Sequence, residues 1–301
     1  MIHEIETAHP VINHDMCTLC RKCIEVCPKR VLDIRDKKVV LTGEPCMLCS
    51  HCYSVCAFNA VDFNGLLFEP SFSSFTYKAA MMAPGSFPPG DLVNLARSRR
   101  SVRKYTEQPV SQEILRDLIS FGTTAPSGSN CQRWEFAVLE SRTKVVEFGK
   151  HFELFFRKLN GLVRNPLIRW VSPLFAGMAL IRYYRDRYAT VERGLEEVKQ
   201  GKDLLFWGAP AVIIIHSTME GSLPIEDAQY AAYNITLLAH AMGLGTCFIG
   251  YASETMNRVK KIKRSCGIPD ANRVHAVLAV GYPAEKFYKL ALRKHVSAEF
   301  I

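Results

Sequence analysis

Eight of the eleven cysteines in this 301-residue chain fall between Cys17 and Cys56. They form two runs with one spacing. The first is Cys17, Cys20, Cys23 and Cys27, followed by Pro28; the second is Cys46, Cys49, Cys52 and Cys56, followed by Ala57. Thiolates are soft ligands, and two-residue gaps let three of them wrap the corners of a compact metal centre. Zinc is the competing reading, but a zinc site needs four ligands, usually in two Cys-x2-Cys pairs. Two identical four-cysteine runs exceed that need and favour iron–sulfur chemistry. The first residues, Met1-Ile2-His3-Glu4-Ile5-Glu6, lack the basic and apolar stretch of a secretory signal. A dense cysteine block then reads as metal-binding rather than as a disulfide framework, and a cytoplasmic location is expected.

The runs repeat with a period of 29 residues, Cys17 to Cys46, and each precedes a short apolar stretch, Val31–Ile34 and Ala60–Phe63. This is an internally duplicated small domain. About 50 residues resemble a bacterial-type two-cluster ferredoxin. The resemblance implies two [4Fe–4S] clusters, in which the last cysteine of each run serves the opposite cluster. Cluster one would use Cys17, Cys20, Cys23 and Cys56; cluster two would use Cys46, Cys49, Cys52 and Cys27. Ala57 replaces the usual proline, which is not a ligand. His51 is out of ligand phase and reads as a surface residue near the cluster.

A second group of chemistry-bearing residues lies further on. Arg97, Arg99, Arg100, Arg103 and Lys104 crowd five cations into eight positions. A solvated basic face is the bland reading. A phosphate site is the sharper one, because guanidinium groups grip phosphate as a fork. No helix-turn-helix, zinc-finger or RNA-binding signature accompanies them, so nucleic acid is not expected. The stretch Ala125-Pro126-Ser127-Gly128-Ser129-Asn130-Cys131-Gln132-Arg133-Trp134 follows a helical pattern and precedes a strand pattern. Its small residues let backbone approach a flat ligand, and Asn130 and Gln132 offer donors and acceptors. The pair Gly243 and Gly245 follows a helix rather than a strand, so it reads as a helix cap and turn, not as a dinucleotide fingerprint. There is no G-x-S-x-G elbow, and His216, His240 and His275 sit in apolar runs as core residues. Cys131 reads as packing before it reads as a redox thiol.

Taken with Gly208-Ala209-Pro210, Gly243–Gly250, Val280-Gly281-Tyr282-Pro283 and Arg293-Lys294, these segments resemble the nitroreductase family of FMN flavoproteins over residues 91–296. The resemblance implies an α+β sandwich, an intertwined homodimer and FMN at the subunit interface. It implies that Arg99, Arg100, Ser101 and Arg103 hold the phosphate and ribityl chain, with Arg293 joining from the C-terminal end. Pro126, Ser127, Gly128, Asn130 and Gln132 would line the ring from the facing subunit, and Gly245 and Thr246 would bring backbone to its other side. Arg133 departs from a position often held by proline. No catalytic acid or base is expected, since the flavin carries the chemistry.

The elements that must position these groups fall into three parts: a ferredoxin-type domain at 1–65, a Pro- and Ser-rich linker at 66–90, and a flavin domain at 91–301. The linker phenylalanines at 68, 72, 75 and 87 suggest packing along the body. The expected body is α+β: helices from Asp91 toward Arg99, from Ser111 to Gly122, over Lys144–Leu159, over Ala176–Lys199 with a break near Gly177, over Asp227–Met242 and over Glu254–Cys266. Its expected strands are Trp134–Leu139, Ala211–Ile215 and Val274–Val280. Leu162–Ile181 is the most apolar long window, but Arg164, Pro166, Arg169 and Pro173 exclude a membrane span. The segment from His151 to Tyr188 is rich in aromatics and arginines and reads as an active-site cover, a dimer surface or a membrane-surface contact. The net charge of +9 is concentrated after residue 65, a balance that could attract nucleic acid, anionic lipid, a phosphorylated cofactor or an acidic protein partner, and charge alone does not choose among them. The combined expectation is an oxidoreductase. Electrons would arrive from a low-potential donor protein, pass through two clusters to FMN, and reach a small acceptor such as a nitroaromatic, quinone or enone. An NAD(P)H-dependent nitroreductase and a non-catalytic electron carrier are the alternatives.

Overall fold

A computed structural model describes residues 8–64, 69–176, 178–203 and 205–301, the side chains at 175 and 176 excepted. Phe68 and Gly177, which figure in the sequence expectations, lie outside the described residues. The chain divides into two compact units.

The first unit contains the residues up to Ser71, with Pro126–Gln132 and Gly221–Leu223. Its elements are β1 (Pro10–Ile12), α1 (Lys22–Glu25), β2 (Leu32–Arg35), β3 (Lys38–Leu41), α2 (His51–Ser54) and β4 (Val61–Phe63). Strands β1 and β4 pair antiparallel, as do β2 and β3. The β2–β3 hairpin closes on Asp36 and Lys37, both left-handed, as a two-residue turn with the strands' own twist requires. Leu32, Val39 and Val61 form a small core with Cys23 and Cys52. The duplication seen in the sequence is repeated in the backbone. Left-handed residues Leu19, Arg21 and Arg30 have counterparts one period later at Leu48, Ser50 and Asn59.

The second unit holds α3 (Pro89–Ser98), α4 (Gln112–Gly122), β5 (Glu135–Leu139), α5 (Arg142–Arg164), α6 (Pro166–Val171), α7 (Pro173–Ala176), α8 (Ala179–Asp186), α9 (Tyr188–Lys199), β6 (Ala211–Ser217), α10 (Pro224–Ala241), β7 (Gly245–Phe248), α11 (Gly250–Arg258), α12 (Lys260–Arg264) and β8 (Arg273–Gly281). The strands form an antiparallel sheet in the order β5-β6-β8-β7. Strand β6 is buried along its whole length, which explains its unbroken β-branched run. Its Val212 and Ile214 join one core with Phe148, Phe152 and Met256, while Ala211, Ile213 and Ile215 join another with Leu118, Ala232 and Ile235. Helices therefore cover both faces of the sheet, giving the expected α+β sandwich.

Three helical stretches differ from expectation, and one of them, Ala176–Lys199, is interrupted at Arg187 (φ −132°, ψ −28°) between α8 and α9. Helix α3 begins at Pro89, with proline in its first turn, so Asp91 lies inside that turn instead of capping it. The stretch Glu254–Cys266 is two helices, broken at Val259 (φ −115°, ψ 85°). Tertiary bonds explain the break. Asn257 exchanges two hydrogen bonds with Val274, at 2.7 and 2.8 Å, and buried Lys263 donates to the carbonyls of Asp270 and Asn272. Helix α4 spans the expected stretch and is capped by Ser111, whose Oγ accepts from Ile114 N–H at 3.4 Å. The linker residues Ser73 and Ser74 dock on Asp117, whose carboxylate accepts both of their backbone N–H groups and the Ser74 hydroxyl. Phe72 stacks near Phe75 and Tyr77, whereas Phe87 is exposed. Among the described residues, no helix is long and apolar enough to cross a membrane.

Candidate functional site

The eight cysteines of the first unit gather into two quartets. Cys17, Cys20, Cys23 and Cys56 line one small cavity; Cys27, Cys46, Cys49 and Cys52 line another. The last cysteine of each run thus crosses to the other run's site. The quartets surround a space instead of converging on a point, and no group of described His, Cys, Asp or Glu is arranged to hold a single metal ion. Four thiols around one space are the ligand set an iron–sulfur cluster needs. Burial pushes the Cys23 and Cys46 thiols up, and the Cys52 thiol up to about 11, with neighbouring cysteines adding to the rise. Bare thiolates at such density are disfavoured, so metal charge is what would hold them ionised. Backbone N–H groups are already aimed at sulfur: Val31 at Cys27 Sγ, Ala60 at Cys56 Sγ and Leu48 at Cys46 Sγ, each 3.3 Å. His51 is exposed, and its Nδ1 lies 3.2 Å from the Cys49 carbonyl.

In the second unit, the segment after α3 runs beside β7. Ser101 bridges Thr246, and Val102 N–H donates to the Thr246 carbonyl at 3.0 Å. This brings Arg99, Ser101 and Arg103 around Cys247. Burial raises the Cys247 thiol, and Arg103, Arg99 and Ser101 pull the other way. Arg99 Nε is buried without a hydrogen-bond partner. An orphaned cationic donor is costly, and an anionic group is what would satisfy it. Together these residues fit a phosphate-bearing cofactor. Arg103 lies 6.0 Å over the Trp207 ring, and Arg100 lies 5.5 Å over Phe287. Gly245 has a packing reason: a Cβ there would meet Val102 Cγ2 at 2.5 Å. Gly243, with φ +79°, ends α10 in the left-handed cap expected of it. Arg293 lies exposed in the C-terminal segment with its guanidinium on the Leu292 carbonyl.

Pro126, Ser127, Gly128, Asn130 and Gln132 belong to the first unit. The loop is tightly wound. Ser129, Asn130 and Gln132 all have positive φ, and Gln132 N–H donates to Ser127 Oγ at 3.1 Å. Non-glycine residues in that region are held there by their surroundings and cluster at binding sites. Asn130 Nδ2 donates to the backbone carbonyls of Met47 and Leu48. Sequence reasoning missed this contact, since no local pattern marks Met47.

His216 and His275 are buried and consumed by structure. His216 Nδ1 meets Asn272 at 2.9 Å, and His275 Nε2 meets Ser217 at 2.8 Å. His240 is half-buried. The aromatic and arginine-rich segment contributes to a cavity of about 1060 Å³, lined by Phe155, Phe156, Tyr183, Leu205 and Trp207 together with Arg182. Trp207, which also lies under Arg103, has φ +60°, another feature with no sequence signal beyond the following glycine.

The fold and site define an iron–sulfur domain joined to an antiparallel α+β body with an anion-ready arginine cluster. Residues 96–282 match the nitroreductase family, and residues 9–57 match the 4Fe-4S dicluster domain. The chain belongs to the nitroreductase family and carries an N-terminal 4Fe-4S dicluster domain. It is 24% identical over 209 residues to a protein of Methanothermobacter thermautotrophicus whose name couples NADH dehydrogenase with NAD(P)H nitroreductase, covering 69% of this chain and 85% of the relative. It is 23% identical to an iodotyrosine deiodinase of Thermotoga neapolitana, covering 64% of this chain and 88% of that protein. A solved nitroreductase with bound FMN from Bacteroides fragilis aligns at 22% identity and a TM-score of 0.49, covering 70% of this chain and 97% of the other.

Proposed function

We propose that this chain is an FMN-dependent oxidoreductase whose flavin is fed by two [4Fe–4S] clusters. The observation that carries the reading is the joining, in one chain, of two cysteine quartets to a nitroreductase body. A tethered electron donor raises the effective concentration at the flavin, and it has little use if nicotinamide reduces the flavin directly. Cys17, Cys20, Cys23 and Cys56 would hold one cluster, and Cys27, Cys46, Cys49 and Cys52 the other. FMN, when bound, supplies one- and two-electron chemistry. Arg99, Arg100, Ser101 and Arg103 would grip its phosphate and ribityl chain, with Arg293 from the C-terminal end. Gly245 and Thr246 would offer backbone to the ring, and Pro126, Ser127, Gly128, Asn130 and Gln132 would line it from the partner subunit of a homodimer. This chain's part is to bind, orient and exclude water; protons come from solvent. A low-potential protein is the donor, and a small organic acceptor such as a nitroaromatic, quinone or enone is the substrate class, a reading supported by the aromatic residues among the walls of the large cavity.

Anaerobic titration tests the assignment. The expected result is about eight iron atoms, four per cluster, and one FMN per chain, with turnover of a nitroaromatic or quinone from a reduced ferredoxin. Stoichiometric zinc, or cluster and flavin reduction without turnover of any acceptor, overturns it. The second reading, direct NAD(P)H dependence, is favoured by the names of relatives, among them an NADPH-dependent oxidoreductase of Staphylococcus aureus that is 26% identical over 196 residues.

A further inference from the structure

The two cysteine runs share a backbone but not an environment. Asn130 Nδ2 donates to Leu48 O at 2.8 Å and to Met47 O at 3.2 Å, the two carbonyls between Cys46 and Cys49. The same loop is keyed in place on its other side. Ser129 Oγ lies 3.1 Å from Ser222 Oγ, and a Cβ at Gly128 would meet Ser222 Cβ at 2.9 Å. Leu48 is buried, and Cys49 is half-buried. Their counterparts one period earlier are more open: Leu19 is half-buried, and Cys20 is exposed. A sequence duplicated in its ligands is therefore differentiated by what covers it. One run is bonded to the loop that carries Pro126, Ser127 and Gln132; the other presents a cysteine to solvent.

We infer that Cys46, Cys49, Cys52 and Cys27 hold the cluster that delivers electrons to FMN, and that the Cys17, Cys20, Cys23 and Cys56 set receives them from the protein donor. Asn130 is the positioning residue of the exit. The inference rests on the proposal that residues 126–132 line the flavin. The hydrogen bonds from Asn130 give a continuous bonded route from the 46–49 peptide into that loop and fix the loop's distance from the cluster. Side chains held by packing and hydrogen bonds on both sides keep such geometry to fractions of an ångström. The electron count is simple. Two electrons, one from each cluster of a single fully reduced two-cluster ferredoxin, and two solvent protons would take FMN to its two-electron-reduced form.

The test uses the full-length protein loaded with clusters and FMN, and a bacterial two-cluster ferredoxin reduced with dithionite and freed of excess reductant. Electron paramagnetic resonance, FMN content and stopped-flow absorbance are read for Cys49→Ser, Cys20→Ser and Asn130→Ala. In Cys49→Ser, the remaining cluster should reduce at the wild-type rate while the flavin stays oxidised. In Cys20→Ser, the remaining cluster should reduce slowly, and the flavin should follow it without further delay. Asn130→Ala should retain iron and both cluster signals, and its cluster-to-flavin phase should slow tenfold or more. Flavin reduction at the wild-type rate in Cys49→Ser, or an unchanged phase in Asn130→Ala that retains FMN, overturns the ordering while leaving the relay intact. FMN lost from Asn130→Ala supports the loop's contact with the flavin, and the two cysteine variants then decide the order. Flavin reduction unaffected in both cysteine variants overturns the ordering and the relay together.

Discussion

Cys27 and Cys46 face the same cavity although they belong to different runs, and Cys17 and Cys56 share the other. Each quartet is thus incomplete without its opposite run. Cys27→Ser is expected to remove the cluster held by the second run while sparing the first, and Cys56→Ser to do the reverse. Iron content should fall by about half in each variant, with one electron paramagnetic resonance signal lost and the other kept. Loss of the signal belonging to the variant's own run would contradict the crossed assignment.

Arg99 and Arg103 flank the same buried thiol, and Arg99 carries an unsatisfied Nε. Arg103→Ala should weaken FMN binding by about 1.5–3 kcal/mol, the loss typical of a hydrogen bond to a charged group. That corresponds to roughly a ten- to hundredfold rise in Kd, measurable by fluorescence titration of flavin-depleted protein. Unchanged affinity in both Arg99→Ala and Arg103→Ala would move the phosphate site elsewhere.

Gly245 stands where a methyl group would collide with Val102. Gly245→Ala should destabilise the second unit by about 1–3 kcal/mol through overpacking. Val102→Ala opens the space, so the double variant should recover part of the loss; thermal melts of the four proteins form the cycle. Additive losses would show that the strain lies in the backbone instead.

Asp117 holds the Ser73–Ser74 segment. Burial works to raise its pKa, but hydrogen bonds from Ser74 and Ser73 outweigh that and leave it lowered. A carboxyl lowered in the folded state stabilises above its unfolded value of about 3.9, and the contribution fades as pH falls through the lower folded value. Wild type should therefore exceed Asp117→Asn in melting temperature at neutral pH, with the gap closing below about pH 4. A gap independent of pH would contradict the account.

Much of this architecture was legible because its causes are local. Thiol spacing, the β-branched run at Ala211–Ile215, the helix from Ser111 to Gly122 and the Gly243 terminus each act within a few residues, and each appears where expected. The break at Val259 was not legible, because it follows from Asn257 bonding to Val274 and Lys263 reaching the 270–272 carbonyls. The role of Gly245 was read as ligand approach, and the structure supplies Val102 as a packing reason. Asn130 was read as a flavin contact; its bonds to Met47 and Leu48 join segments more than 80 residues apart, and such contacts leave no periodic trace.

The central claim is that the cysteine clusters, not nicotinamide, reduce the flavin. Anaerobic stopped-flow absorbance of the wild-type protein, mixed in one series with a reduced two-cluster ferredoxin and in another with NADPH, addresses it directly. The account predicts that ferredoxin bleaches the cluster bands first and the flavin band next, at a rate no slower than turnover, and that NADPH leaves the flavin oxidised on that timescale. Flavin reduction by NADPH at a rate equal to turnover, with the clusters still oxidised, would contradict it.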